Sequence, residues 1–399
     1  MHAGPNFNLD KLYWPRFAQL NISTFRVELQ WSWIEQQKGQ LAINTEPFPA
    51  RDTLLYEDEM LRDANTVGVS PLIVLGYGNK FYDGGGFPLS DVAQAAFVRY
   101  ATFVATRYKG AVKYYELWNE WNIGGGVYPP VAGSPTDYAR LLKKVYAALK
   151  AVDPNILVLA GATGGTDPVW AQRMLAAGGL SAMDGYSVHP YDQQNGPERP
   201  LESLLALQAA VKAAAGGREI PIYVTEIGWH TAAIPSAVSL STQADYAARL
   251  YLAAPMYSFI KGVWWYSFRD DGNDPANVHG NFGLFTYYPV DPKPGACAMG
   301  DVAKLIQSYQ PVSIRRDSRG VWVAKYSDGT TSVFAVWTQV ANATVSAAVA
   351  TSRPSGARIN ARGICRSLTV PGNGGTLLSA EISNSPIIFT TIADDISVQ

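Results

Sequence analysis

Two cysteines and four histidines in 399 residues leave few soft or imidazole donors for a metal centre spread over several strand ends. The cysteines, Cys297 and Cys365, stand far apart. They either bridge the last helical stretch of a first domain to a C-terminal one or remain free thiols. Charge of one sign is missing too: 32 Lys and Arg balance 33 Asp and Glu, and the basic residues form no stripe. That excludes the electrostatic footprint of a nucleic-acid partner. No apolar run approaches the roughly 20 residues of a membrane span, so no membrane partner is implied. MHAGPNFNLD lacks the basic and hydrophobic parts of a signal peptide. The chain is therefore expected in the cytoplasm, or secreted or periplasmic if a leader has been removed. The glycine runs 84–86 and 124–126 have neither GxGxxG spacing after a strand nor a Gly-Lys-Ser/Thr ending, and so form no nucleotide cradle. Asp270, Asp271 and Asp274 do not have the spacing of a calcium loop. Neither metal nor cofactor is expected, and composition leaves the oligomeric state open.

Aromatic side chains, by contrast, are plentiful, with 11 Trp and 22 Tyr gathered beside Gly, Asn and Asp at expected strand ends and loops. Such rings suit a groove that binds the apolar faces of sugars, while core and rim packing accounts for many of them. The length exceeds what one hydrophobic core usually serves, and predicts a large domain over residues 1–310 with a smaller one over 311–399.

Residues 24–29 (TFRVEL), 70–75 (SPLIVL), 112–117, 156–160 (ILVLA), 185–188, 222–225 and 262–265 read as strands. Helical spacing covers 9–20, 56–67, 92–108, 136–151, 168–177, 201–215, 242–259 and 301–309, with a break expected at Pro255. This alternation predicts an α/β fold, a (β/α)8 TIM barrel whose first strand is short and lies in MHAGPNFN. An open doubly wound sheet is the rival, but it places its site at a switch point and does not need chemical residues at so many strand ends. Beyond residue 309, short β-rich runs separated by turn residues predict a small antiparallel C-terminal all-β domain, with a hairpin turn at Asp328-Gly329. Its expected role is structural, with carbohydrate binding as the alternative.

Chemistry concentrates in two stretches. YYELWNEWN, residues 114–122, delivers Asn119 and Glu120 where an aromatic strand meets a glycine-rich loop; PIYVTEIGW, residues 221–229, ends a β-branched strand on Glu226. Two carboxylates leaving the ends of two buried strands are the pattern for the general acid and nucleophile of glycoside hydrolysis. Indoles and a second carboxylate nearby would raise the pKa of Glu120 as an acid, whereas a plain reading makes it a helix cap or loop residue. Glu226 as nucleophile needs donors, and Arg26, Tyr191 and His189 are the candidates. Arg26 shares a strand face with Glu28, and an inward arginine must be paired, with Glu226 or with Glu28. His189 suits a hydrogen bond to substrate or to a neighbouring side chain rather than a metal. Further candidate substrate contacts are Asn119, Glu28, Trp31 and Trp33 in the loop after residue 29, Tyr77, Asn79 and Tyr82 in the next loop, Trp121, Trp265 beside Tyr266, and Arg269.

The stretches FRVELQWSWIEQQKG, YGNKFYDGG, VKYYELWNEWN, YSVHPY, PIYVTEIGW and WWYSF, in this order over residues 24–268, resemble the retaining glycoside hydrolases of clan A. Within the clan they look most like family 39 and its bacterial relatives that cut exopolysaccharides. The resemblance implies a (β/α)8 barrel with Glu120 as acid/base at the end of strand four and Asn119 on the substrate's 2-hydroxyl. It also implies Glu226 as nucleophile at the end of strand seven and Arg26 as the strand-two arginine beside it. A β-linked glycoside or polysaccharide would then be cleaved through a covalent glycosyl-enzyme, by exo or endo action. Trp121 stands where many relatives have proline, which implies a reshaped leaving-group subsite. Other classes remain as alternatives: a non-catalytic carbohydrate-binding barrel with one glutamate turned away, a metal-dependent barrel hydrolase, or a structural protein with both glutamates buried against arginine.

Overall fold

The computed structural model describes residues 10–43, 57–339, 345–351, 357–365 and 373–398. Seven strands, β1 (Thr24–Gln30), β2 (Ser70–Gly76), β3 (Tyr114–Leu117), β4 (Leu157–Gly164), β5 (Gly185–His189), β6 (Ile222–Ile227) and β7 (Ile260–Trp265), form one sheet in sequence order. Every neighbouring pair is parallel. Near-continuous burial along β2 and β6 is what a parallel sheet covered on both faces requires. This is the (β/α)8 barrel fold. The strand expected in MHAGPNFN lies outside the described residues.

Helices occupy the crossovers: after α1 (Asp10–Gln19) and the single turn α2 (Trp31–Ile34) come α3 (Glu57–Thr66), α4 (Asp91–Arg107), α5 (Pro135–Val152), α6 (Pro168–Ala176), α7 (Glu198–Ala214) and α8 (Leu240–Ala253). Their starts are written locally. Ser90, Ser134, Asp167 and Ser239 each accept a backbone N–H of the helix they cap, and Pro135 and Pro168 follow their caps at the first helical position. Pro255 ends α8 in a 3₁₀ turn at Ala254–Met256, six residues before the helical spacing runs out at 259. Trp31 to Ile34, expected in a loop, form α2 because Trp31 and Ile34, three apart, both bury their side chains.

Register puts chemistry above packing. Glu28 pairs with Val74, and Val74 with Glu116, so the sheet face bearing Arg26, Glu28 and Glu116 also bears Leu72, Val74 and Leu159. Those apolar residues form one core cluster with Tyr223 and Trp264, a dry floor beneath the polar layer. β4 runs four residues beyond the expected 160 through a register shift between Ala160 and Thr163, where Gly161 and Ala162 have positive φ.

The chain forms two compact units. One holds all seven strands, in residues up to Tyr191 with Glu202–Gly228 and Phe259–Asp271. The second comprises Asp192–Leu201, Trp229–Ser258 and the chain from Gly272 onward. In the second, α9 (Pro294–Ser308) packs on α8. It is followed by β8 (Gln310–Arg316), β9 (Val321–Ser327), β10 (Ser332–Thr338), β11 (Val345–Thr351), β12 (Asn360–Gly363), β13 (Leu377–Ile382), β14 (Ile387–Thr391) and β15 (Ile396–Val398). They make two antiparallel sheets, β12-β14-β10-β9-β8 and β13-β11-β15, whose inner residues Val323, Phe334, Leu378, Ile382 and Phe389 share one core. The hairpin between β9 and β10 turns at Asp328-Gly329 as expected: the Asp328 carboxylate accepts the N–H groups of Thr330 and Thr331, and Gly329 has φ of 93°. Cys297 and Cys365 form a disulfide that ties α9 to the chain after β12.

Candidate active site

β3 does not simply end; it is wrenched. Trp118 and Glu120 both adopt left-handed backbone, φ 68° and 52°, which side chains other than glycine take up only when the surroundings hold them there. The Trp118 N–H donates to Leu75 and its indole to the Gly125 carbonyl. The Glu120 N–H donates to Ala162 at the β4 bulge over 2.7 Å, and Gly125 N–H returns to the Glu120 carbonyl. A Cβ on Gly125 would lie 2.4 Å from the Asn119 carbonyl oxygen, so this glycine is there for close approach. The glycine run thus shapes the turn that presents Glu120.

Around that turn one buried arginine gathers acidic and amide partners. The Arg26 guanidinium, fully buried on β1, donates Nε to Glu116 over 2.6 Å, Nη1 to Glu226 and Nη2 to the Asn119 Oδ1 over 2.9 Å. Burial works against its charge, but Glu116, Glu226 and Glu28 outweigh that and hold it ionised. Glu226, at the end of β6, also accepts from the Tyr191 hydroxyl at 3.0 Å. Both of its oxygens are thereby met by donors, the environment of an ionised carboxylate.

His189, buried at the end of β5, connects the two glutamates. Its Nδ1 lies 3.1 Å from Glu120 Oε1 and 3.9 Å from Glu226 Oε2, and its Nε2 lies 3.1 Å from the Thr225 hydroxyl, which donates to Glu116 over 2.7 Å. Burial pulls the imidazole down, yet the Glu226 charge and the Glu120 hydrogen bond together carry it above the ordinary histidine value. One carboxylate oxygen each of Glu120 and Glu226 and a nitrogen of His189 all fall within 4.8 Å of one another. A cation at that point would face the Arg26 guanidinium, which already occupies Glu226, so the donor set does not suit a metal. The Glu120 side chain is 24% exposed and that of Glu226 11%. The first thus stands nearer solvent, and the second deeper.

A half-buried polar rim adjoins them. Glu28 accepts from the Tyr77 hydroxyl over 2.5 Å and from Gln30 over 3.0 Å. Tyr266 stands with its ring 6.4 Å from that of Tyr191. Burial, then the charges of Asp271, Glu226 and Glu28, push its phenol up. Burial likewise lifts Asp271 to about 6, against the pull of Arg269. Arg269, itself buried, lies over the Tyr13 ring at 5.7 Å.

Several residues expected to touch substrate are instead inside the protein. Trp31 stacks on Tyr82 and donates its indole to Glu35, Tyr82 gives its hydroxyl to the same carboxylate, and the Asn79 amide donates to the Glu35 carbonyl. With exposures of 1%, 6% and 1%, Trp31, Tyr82 and Asn79 offer no face to a sugar; they pin the loop after β2. Asp83 caps that loop onto Leu89 and Ser90. Trp121 is fully buried against Phe87 and Trp118. Trp265 is buried as well, and the next residue, Tyr266, is the one that reaches the rim. Trp33 is half-buried. Glu116 and Thr225 escaped the sequence reading, although a glutamate in mid-strand among Tyr115, Leu117 and Trp118 was signal enough that it must have a buried partner.

No protein-family model matches the sequence, and no curated protein does. Solved structures do. A family 39 glycoside hydrolase from the gut symbiont Bacteroides cellulosilyticus is 25% identical, with a TM-score of 0.79 over 98% of this chain and 80% of that one. A β-xylosidase from Caulobacter crescentus shares the fold at 14% identity and TM-score 0.65, over 99% of this chain and 95% of that one. A family 51 α-L-arabinofuranosidase from Bifidobacterium longum does so at 13% identity and TM-score 0.62, over 98% and 91%. With paired carboxylates at two strand ends of this barrel, the chain is a glycoside hydrolase similar to the clan A enzymes of family 39.

Proposed function

We propose that the protein hydrolyses a β-linked glycoside or polysaccharide with retention of configuration, Glu226 acting as nucleophile and Glu120 as acid/base. The observation that carries this reading is the approach of one oxygen of each carboxylate to within 4.8 Å of the other, which supports the short carboxyl spacing of about 5 to 5.5 Å that retention uses. In the first step a Glu226 oxygen bonds to the anomeric carbon while the bond to the leaving oxygen breaks and Glu120 gives that oxygen its proton. In the second, Glu120 takes a proton from water, whose oxygen attacks the anomeric carbon and frees the Glu226 carboxylate. Arg26 and Tyr191 keep Glu226 ionised beforehand and receive it afterwards. Arg26 also fixes the Asn119 amide by its oxygen, leaving its NH2 to donate to the substrate's 2-hydroxyl. Glu28, Tyr77 and Tyr266 supply polar contacts to the remaining hydroxyls. Residues 1–310 carry the chemistry in this reading, and 311–399 act as an accessory domain.

The test is hydrolysis by wild type, Glu226→Ala and Glu120→Ala on aryl glycosides and soluble polysaccharides, with product size recorded. Glu226→Ala is expected to lose at least about a thousandfold in kcat while still binding substrate. Glu120→Ala should lose most on poor leaving groups and far less on an activated aryl glycoside, where protonation matters little. Wild-type rates in both variants would refute the assignment. Turnover of one small glycoside marks exo action; a polymer cut to oligomers with no aryl glycoside turned over marks endo action.

A further inference from the structure

We propose that Thr225 and Glu116 lock the tautomer of His189 so that the His189–Glu120 pair holds a second proton between them, making both positioning residues for the acid step. This rests on the reading of Glu120 as acid/base. Glu116 is fully buried and accepts from Arg26 Nε, so it is an ionised, acceptor-only group. The single hydroxyl proton of Thr225 is therefore directed at Glu116, 2.7 Å away. That leaves the Thr225 oxygen only as an acceptor toward His189 Nε2 at 3.1 Å, and Nε2 must carry a hydrogen.

The consequence appears at the other nitrogen. With Nε2 protonated, the 3.1 Å contact between Nδ1 and Glu120 Oε1 is a hydrogen bond only if a second proton lies there, on the glutamate or on the ring. The alternative, a neutral ring giving Nδ1–H to an ionised Glu120 with Nε2 bare, would set Nε2 and the Thr225 oxygen lone pair to lone pair. The lock removes that deprotonated state, so the pair holds its second proton to higher pH. The charged and titratable groups facing the pair are Arg26 on β1, Glu116 on β3, Tyr191 after β5 and Glu226 on β6. A substitution at Thr225 leaves all four in place.

Two readouts test this. The 15N resonances of the His189 ring should show Nε2 protonated in wild type and in Thr225→Ser, and a mixture of tautomers in Thr225→Val. The basic limb of kcat/KM on a glycoside with a poor leaving group should move down by about one pH unit in Thr225→Val, tenfold at a fixed alkaline pH, and stay in place in Thr225→Ser. An activated aryl glycoside should be affected much less. Should Thr225→Val fail to fold, Thr225→Ala serves: it removes the same hydroxyl and leaves the Glu116 charge in place, with the same shift of the limb. Bare Nε2 in wild type, an unmoved limb in Thr225→Val and Thr225→Ala, or an equal shift in Thr225→Ser would overturn the proposal. Failure of the functional reading would show differently, as undiminished turnover in Glu226→Ala.

Discussion

Asp271 and Arg26 show two ways in which a buried charge is managed at this site. Arg26 is surrounded by Glu116, Glu226 and the Asn119 amide oxygen, so its buried charge is met from several sides at once. Asp271 is compensated less fully, by Arg269 and by the Tyr266 hydroxyl. Burial raises it from 3.8 to about 6, Asp270 adds to the rise, and Arg269 only partly opposes it. Because its folded value lies above its unfolded one, the stabilisation from protonating it is complete below about 3.8 and lost as pH rises through about 6. Asp271→Asn is therefore expected to raise thermal stability at pH 7.5, by at most about 3 kcal/mol, and to leave it unchanged near pH 3.5. Melting curves at the two pH values check this, and an equal effect at both would contradict it.

At the scale of elements, the loops after β2 and β3 are fitted to each other through glycine. A Cβ on Gly126, where φ is 73°, would lie 1.9 Å from the Tyr77 ring, whose hydroxyl holds Glu28. Gly126→Ala should push Tyr77 aside and raise KM about tenfold or more, with a stability loss of about 1 to 3 kcal/mol. Kinetics and melting of the purified variant decide it; an unchanged KM would show that Tyr77 and Glu28 do not contact substrate. The same interlocking explains why Trp31, Tyr82 and Asn79 are buried. A long polar loop needs an anchor, and the Glu35 carboxylate and carbonyl provide one.

For the molecule as a whole, stability in the second unit rests on cross-links as well as on its sandwich core. Glu198 and Arg249 form a buried ion pair, and the Trp337 indole donates to the same glutamate over 2.7 Å. The Cys297–Cys365 bridge closes a loop of 68 residues, and bridges of that span stabilise by about 4 kcal/mol in the chain-entropy account. Replacing both cysteines by serine, or adding reductant, should lower the calorimetric transition of this unit; no change would mean the loop is already held by α8 and α9. Whether the bridge forms was left open by the sequence, because two cysteines define a pairing only once the fold brings them together.

What the sequence by itself determined is local. Helix starts follow from a cap one residue away, strands from short runs of β-branched and aromatic residues, the β9–β10 turn from Asp328-Gly329, and the paired glutamates from short motifs at strand ends. These depend on neighbours in the chain, and the order of motifs from 24 to 268 sufficed for the barrel and for Glu120, Glu226 and Arg26 as its candidates. Tertiary structure decided the rest. Arg26 meets Glu116 and Glu226 across 90 and 200 residues of sequence, and Thr225 meets Glu116 across 109. Which of the many aromatics face a sugar was equally beyond local reading, since Trp265 and Tyr266 are neighbours in sequence yet the first is fully buried and the second only partly so. Strand register and the packing of loops over strand ends set those contacts, and both arise only when distant segments share one core.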